Sequence, residues 1–433
     1  AVAIVAQRAL GELAVPVIVC DDTRRALGTA AAALAGQPDR DLALVGVTGT
    51  NGKTTTTFLL EGMLERAGIV GTVACRYAPE GEVRLDEPTR FTTPTPTLLQ
   101  PLLGRMRDAG ALRVAMEVSS HALEMGRVWG CTFRVAAFSH LTQDHLDLHG
   151  DMQSYLAAKR LLFERHLAPG GTAVINVDGD GAEAMLEAAR ARGDVEIVRC
   201  SRARRDVEAR IEQLVCDIDG LRGELCLGDE RAAFASPLLG EFNADNVLLA
   251  AACARAAGSS MQRIVAGAAA ARVPGRLERV DDASGAQPAV LVDYAHTPDA
   301  LQRAAAVLRP LCAGRLYVVF GCGGDRDRKK RPMMGRAARE QADVAYVTSD
   351  NPRSERPQAI IDEILPAFEG APADSYVVEV DRRAAIEAAI AAAAPGDIVL
   401  VAGKGHEDYQ ILGAQRIHFD DREVAREALA ART

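Results

Sequence analysis

The sequence predicts an α/β protein made of two successive strand–helix series, the first with a P-loop-type parallel sheet, the second doubly wound and Rossmann-like. Three observations lead there. From Leu42, and again from about residue 289, short apolar runs alternate with helical stretches, as in parallel sheets covered on both faces. A glycine-containing turn, Thr48-Gly49-Thr50-Asn51-Gly52-Lys53-Thr54, joins the first of these runs to a helix. Between the two series stands Val273-Pro274-Gly275, the best candidate linker. The division is therefore 1–40, an α/β piece too small to fold alone, then 41–273, a central domain, and 274–433, a C-terminal domain.

Residues 1–40 read as a strand, a second strand at Val15–Val19 and an alanine-rich helix from about Arg24. The central series starts with the apolar run Leu42–Val47, followed by a helix from Lys53 to about Ala67. Further strands are predicted at Ile69–Ala74, Val114–Val118, Val135–Ser139 and Thr172–Asn176, with a helix at Met152–Glu164. Between about 195 and 236 the chain turns strand-rich, with a hairpin-like turn at Asp219-Gly220, before a helix at 241–257. The second series places strands near 289–293, 315–321, 343–348, 375–379 and 398–402.

Composition narrows the function. The formal charge of −9 and an aromatic content of 4% disfavour a broad nucleic-acid face, so positive charge for anionic ligands must be concentrated locally. Nine dispersed cysteines without a C-x-x-C pair fit a reducing cytoplasm and offer neither zinc nor redox spacing. No apolar run reaches membrane-spanning length. The chain opens without methionine on an apolar segment, from which we expect the natural protein to begin further upstream.

The turn after Leu42–Val47 is the first candidate site. Gly49, Thr50, Asn51 and Gly52 can wrap backbone amides around phosphate at a helix N-terminus. Lys53 would reach the β/γ-phosphates, and Thr54, followed by Thr55, would meet magnesium. Val47 stands where a strict Walker motif has its first glycine; the bland alternative is a strand–helix turn with a surface lysine. T-G-T-N-G-K-T resembles the ATP loop of the Mur ligases and of the related folylpolyglutamate synthetases. The resemblance runs in order from about residue 41 to the end.

Met116-Glu117-Val118-Ser119-Ser120-His121 ends a predicted strand, where ligand sites gather in open α/β sheets, and Asp144-His145-Leu146-Asp147-Leu148-His149 follows the next one. Both segments resemble Mur metal sites, which implies Glu117 and His145 as magnesium ligands. His149 and Asp147 serve equally well as turn and cap residues, and His121 fits either role. Lys159 reads, from its own surroundings, as a solvated helix lysine. The resemblance implies instead a lysine carbamate, in which CO₂ turns a cation into an oxygen ligand for a second magnesium. Thr92-Thr93-Pro94, Ser119 and Arg127 match positions that grip the UDP-muramyl peptide, although their spacing alone is unremarkable. One departure is His140, where the family has asparagine.

Asn243 and Asn246 lie on one helix face, suited to adenine or ribose or, alternatively, to capping. Arg276 stands at the linker, able to reach phosphates on domain closure. Asp293-Tyr294-Ala295-His296 resembles the segment that completes the family's ATP site; His296 is a weak candidate for general base. Gly321–Asp327 with Arg326, then Asp350-Asn351-Pro352-Arg353, then Gly403-Lys404-Gly405-His406-Glu407, each end a predicted strand and could meet in one crevice. Two arginines suit a distal carboxylate and Glu407 a distal ammonium. D-N-P-R is the pattern of the diaminopimelate-adding Mur ligases.

The resemblance therefore implies an ATP-dependent, ADP-forming ligase that adds meso-2,6-diaminopimelate to UDP-N-acetylmuramoyl-L-alanyl-D-glutamate through an acyl phosphate, with Lys53 and Lys159 in the chemistry. It also implies Mg²⁺, a monomer acting on small molecules without nucleic acid or membrane, and residues 1–40 as the remnant of a uridine-nucleotide-binding domain. The alternatives are a folylpolyglutamate synthetase-like ligase and a catalytically impaired ATP-binding fragment.

Overall fold

The computed structural model describes residues 2–88, 91–142, 149–280 and 287–432. The chain divides into two units. The first comprises Ala1–Val215, Leu221–Pro237 and Glu241–Ala271; the second takes Arg272–Thr433 with Cys216–Gly220 and Leu238–Gly240.

The first unit is organised by an eleven-stranded sheet. Its middle runs Glu196–Ser201, Leu167–Asn176, Phe133–Phe138, Ala43–Thr48, Arg113–Glu117 and Ala67–Val70, all parallel. Ala43–Thr48 is buried on both faces, which is why it reads as a near-continuous apolar run. Sequence order and spatial order diverge here: Ala43–Thr48 lies between Arg113–Glu117 and Phe133–Phe138. The turn after it therefore lies beside the turns after both neighbours. Ala209–Asp217 adds in parallel to Glu196–Ser201, and antiparallel strands finish the sheet, Cys75–Tyr77 and Leu85–Glu87 at one end and Gly220–Leu227 with Glu230–Ser236 at the other. Near the N-terminus Ile4–Ala6 and Val17–Val19 form a separate parallel pair, and Thr23–Leu34 is a helix capped by Asp22.

The second unit has a six-stranded sheet, ordered Glu278–Arg279, Ala289–Asp293, Ile398–Ala402, Leu316–Phe320, Val344–Val347 and Tyr376–Val378. Only the two-residue edge strand is antiparallel. Alternate residues build cores on opposite faces: Leu291, Val318, Phe320 and Leu400 on one, Val290, Val292, Val319 and Val399 on the other. That two-sided burial is the doubly wound arrangement the apolar runs predict.

Several bounds differ from expectation. The helix from Lys53 ends at Met63, because Leu64 is extended and Arg66 takes a left-handed turn into the strand Ala67–Val70. That strand begins two residues before the predicted Ile69 and stops four before Ala74. The helix at Met152 ends at Leu161 and widens into a π-turn over Leu162–His166. A hairpin, Tyr409–Leu412 with Gln415–His418, was not expected from the sequence.

Candidate active site

In the first unit the turn at Gly49–Lys53 is held by its neighbours. Gly49 (φ +142°) and Gly52 (φ +87°) admit no side chain: a Cβ would lie 1.9 Å from Ser139 Oγ and 2.3 Å from Asn246 Oδ1, respectively. Ser139 Oγ donates to the Asn51 carbonyl at 2.6 Å, and the Thr50 amide donates to the His140 carbonyl at 2.8 Å. Residue 140 thus touches the turn through its backbone, which any side chain there would permit. Thr50 Oγ1 meets the Thr142 carbonyl at 3.1 Å and Tyr155 Oη at 3.2 Å. Asn246 Nδ2 donates to Asn243 Oδ1 at 2.9 Å, so the two amides act as one group beside Gly52.

Two cations converge on this turn. Lys53 Nζ donates to the carbonyls of Gly49 (3.0 Å) and Thr50 (2.8 Å). Lys159 Nζ donates to the same Gly49 oxygen at 2.8 Å and lies 4.2 Å from the Tyr155 ring centroid. Lys159 is only 1% exposed, so the solvated-lysine reading of its local sequence is overturned. The apolar packing of Tyr155 one turn earlier buries this face of the helix.

Glu117, at the end of Arg113–Glu117, is 1% exposed and accepts from Thr54 Oγ1 (2.9 Å), the Thr72 amide (2.9 Å) and Thr72 Oγ1 (3.2 Å). This buried oxygen set, carboxylate and hydroxyl side by side, fits a hard divalent cation such as magnesium. Thr72 was missed from sequence; it belongs to no motif. Thr55, next along the helix, is buried. Thr92 Oγ1 accepts from Thr72 Oγ1 at 3.0 Å, Thr93 Oγ1 donates to the Glu117 carbonyl at 2.9 Å, and the Ser119 amide donates to Thr93 Oγ1 at 3.1 Å. Arg127 Nη1 reaches the Thr93 carbonyl at 3.1 Å. Thr92, Thr93, Ser119 and Arg127 therefore gather around the end of one strand. His149 is tied between Ser120 Oγ (3.0 Å) and Glu124 (2.9 Å), as a turn-fixing residue would be. His145, with Asp144 and Asp147, lies outside the described residues.

In the second unit the three predicted motifs meet. A Cβ on Gly323 would lie 2.8 Å from Arg353 Nη1, 3.7 Å from Arg326 Cγ and 3.8 Å from the Asn351 carbonyl. Asn351 Nδ2 donates to Glu407 Oε2 at 2.8 Å. Lys404, wholly buried, lies 3.4 Å from Glu407 and 4.0 Å from Asp350, a role that its motif alone does not mark. Asp350 Oδ1 is a buried oxygen without a hydrogen-bond partner among the described residues, and the Lys404 ammonium faces it at 4.0 Å. Pro352 is buried between Asn351 and Arg353. Gly403 takes φ +121° close to Asp350 Oδ2. Beside these groups, Arg276 stacks over Tyr294 at 5.3 Å, and Tyr294 also contacts the rings of His296 and His406. Burial raises the pKa of the Tyr294 phenol, with Glu407 adding to the effect. Asp293 holds the amides of Leu277 (2.7 Å) and Ala295 (2.8 Å); burial raises its pKa, and Arg276 acts in the opposite sense. His406 is pushed down to about 4 by burial and by Arg276.

Both units contain sequence that matches known domains. The Mur ligase middle domain matches residues 47–254, and the Mur ligase glutamate ligase domain matches 275–405. A UDP-N-acetylmuramoyl-L-alanyl-D-glutamate–2,6-diaminopimelate ligase from Gloeobacter violaceus is 48% identical over 99% of this chain and 86% of its own length. The chain belongs to the Mur ligase family. A solved 2,6-diaminopimelate ligase of the same description superposes with a TM-score of 0.74 at 35% identity, covering 99% of this chain and 87% of the other. A folylpolyglutamate synthase from Mycobacterium tuberculosis, complexed with ADP, has a TM-score of 0.67 at 22% identity over 88% of this chain and 92% of its own. That second likeness extends to the fold alone.

Within this Mur ligase the expected residues separate by unit. The phosphate turn, Glu117 and the residues read as muramyl-peptide contacts lie in the first unit, and those read as amino-acid contacts lie in the second, together with Arg276 and Asp293 of the nucleotide reading.

Proposed function

We propose that this Mur ligase joins meso-2,6-diaminopimelate to UDP-N-acetylmuramoyl-L-alanyl-D-glutamate, consuming ATP and releasing ADP and phosphate, in cell-wall precursor synthesis. The observation that carries the choice of amino acid is the grouping of Arg326, Arg353, Asn351 and Glu407 around Gly323 and Lys404. Diaminopimelate has a carboxylate and an ammonium at its distal end. The two guanidinium groups suit the first and Glu407 with Asp350 the second. L-Lysine lacks the distal carboxylate and would leave arginine charge uncompensated.

In the first step a γ-carboxylate oxygen of the D-glutamyl residue attacks the γ-phosphorus of ATP, and the bond to ADP breaks. The diaminopimelate amine then attacks the acyl carbonyl, loses a proton, and phosphate departs. Lys53 and the amides of Gly49–Gly52 neutralise and hold the phosphates, with Asn243 and Asn246 beside them. Thr92, Thr93, Ser119 and Arg127 hold the muramyl peptide. Thr54 and Glu117 would hold Mg²⁺, which supplies charge neutralisation on the phosphates. His296 is our candidate acceptor for the amine proton. A carbonyl oxygen only accepts, so the 2.8 Å contact with Tyr294 O makes Nδ1 the donor and leaves Nε2 as the nitrogen that can face the amine.

Lys159 is read as the carbamylated lysine. Two ammonium groups on one carbonyl oxygen are at most about 6 Å apart and repel by about 3 kcal/mol at an effective dielectric near 20. Converting Lys159 to an anion reverses the sign of that interaction and adds oxygen donors for magnesium. The reading places the enzyme in the cytoplasm, consistent with nine free cysteines. No described helix is long and apolar enough to cross a membrane.

Phosphate release measured with each substrate omitted in turn tests the activity. We expect release only with the nucleotide dipeptide and diaminopimelate both present. Release with folate and glutamate would favour the folylpolyglutamate reading, and release with neither pair would make the chain an ATP-binding scaffold.

A further inference from the structure

The loops that carry Arg326 and Arg353 are cross-linked to each other. Gly324 is held twice: its amide donates to the Asn351 carbonyl at 2.9 Å, and its carbonyl accepts from Arg353 Nη1 at 2.9 Å. Asp325 then accepts from Ser354 Oγ (2.6 Å) and from the Ser354 amide (3.1 Å), while its own amide donates to Glu355 Oε1 at 2.7 Å. Glu355 is anchored from below by Arg331, which is fully buried and grips it with a fork of 2.7 and 3.0 Å while also reaching Glu363 at 2.9 Å. The grip holds the Glu355 carboxyl down at about 2, Arg331's hydrogen bonds being the first cause and the Asp325 amide the second. Asp325 and Arg353 both stand at φ +53°, a conformation that neither residue favours by itself.

We infer that Asp325, Ser354, Glu355 and Arg331 are positioning residues that fix the separation of Arg326 and Arg353, and so set the preference for an amino acid with a distal carboxylate. This rests on the diaminopimelate reading of the pocket. Arg326 is exposed and, among the described residues, donates only to the carbonyl of Asp325, its own chain neighbour. Its loop is therefore placed by the Asp325 bonds, not by packing of its side chain. Without them a bidentate carboxylate contact would have to order the loop first, at a cost in affinity.

The test uses the full chain. Asp325→Gly removes the Ser354 bonds without backbone strain, because glycine accepts φ +53°. We expect it to raise KM for diaminopimelate about tenfold, the scale of one lost charge-assisted hydrogen bond. The KM values for ATP and for the nucleotide dipeptide should stay within about twofold, and the preference over L-lysine should fall. Asp325→Asn keeps an acceptor oxygen and should recover most of the loss; Glu355→Gln should behave like Asp325→Gly. A wild-type enzyme that preferred L-lysine would overturn the pocket reading. A wild-type enzyme that takes diaminopimelate, with KM unchanged in Asp325→Gly or raised equally for all three substrates, would overturn the positioning role alone.

Discussion

The ion pair of Arg382 and Asp421 gives the sharpest test of how the second unit is held. Both side chains are completely buried. Arg382 Nε and Nη2 reach the two oxygens of Asp421 at 2.8 and 2.7 Å, and the remaining N–H groups donate to the carbonyls of Ser349 (3.2 Å) and Ala402 (3.0 Å). Those carbonyls immediately precede Asp350–Arg353 and Gly403–Glu407. One guanidinium thus joins the two strand ends that carry most of the amino-acid pocket. Asp421→Asn preserves shape and leaves the arginine charge with no carboxylate in bonding distance among the described residues, Asp350 and Glu407 acting only from further off. Breaking a buried pair by neutralising one partner costs about 3–5 kcal/mol. For a unit of about 170 residues each kcal/mol shifts Tm by about 2–4 °C. The unfolding transition of this unit should therefore fall by about 6–20 °C in differential scanning calorimetry. The double variant Arg382→Met with Asp421→Leu removes both charges but strips donors from two buried carbonyls, each worth about 1–3 kcal/mol. It should remain below wild type. A Tm for Asp421→Asn within about 3 °C of wild type would refute the reasoning, because no buried charge could then have been left uncompensated.

Arg353→Ala should raise KM for diaminopimelate by about 10–100-fold with ATP binding little changed, as measured by initial rates at varied amino acid; equal losses for both substrates would contradict the pocket assignment. Lys159→Ala should lose phosphate release and regain part of it with a short-chain carboxylic acid in the assay, and full activity in the variant would reject the carbamate. His166, 4% exposed and packed 4.9 Å from the Trp129 ring, has its pKa lowered to about 4, chiefly by burial and further by Arg165. The unfolded chain takes up this proton below about 6.5 and the folded chain only near 4, so stability is full above about 6.5 and falls with pH across that window, by about 3 kcal/mol in all. Urea titrations at pH 7 and 4.5 should show this slope in wild type and a smaller one in His166→Phe.

Much of the architecture was legible because burial on both faces writes itself as an apolar run. Ala289–Asp293 and Ile398–Ala402 fall at the positions read from composition, and the phosphate turn is framed by Leu42–Val47 and the helix from Lys53. Strands with no such signature were missed. Gln415–His418 is exposed at every residue, and Cys75–Tyr77 and Leu85–Glu87 have three residues each, too few to show a period. Buried charge was the least legible feature. Arg331, Arg382, Lys159 and Lys404 are each within 1% of complete burial, yet of these the sequence marks only Lys159, and marks it as a solvated helix lysine. Their partners, at Glu355, Asp421, Gly49 and Glu407, stand 24, 39, 110 and 3 residues away. Only for Lys404 could spacing along the chain have given the pair away.

The two left-handed residues of the amino-acid pocket show why such partners matter more than local preference. Glycine at 325 or 353 would relieve a conformational cost of about 1–3 kcal/mol at each position. The chain keeps aspartate and arginine there instead. At 353 the backbone is fixed by the amide bond to the Ile411 carbonyl (3.0 Å) and by the Gly413 amide on the Arg353 carbonyl (2.7 Å). The guanidinium then turns back onto Gly324. At 325 the side chain itself supplies the bonds that offset the strain. The same backbone turn thus presents the cation and ties down the loop opposite it. A substitution that stabilised the turn by removing either side chain would loosen the spacing on which recognition of a distal carboxylate depends.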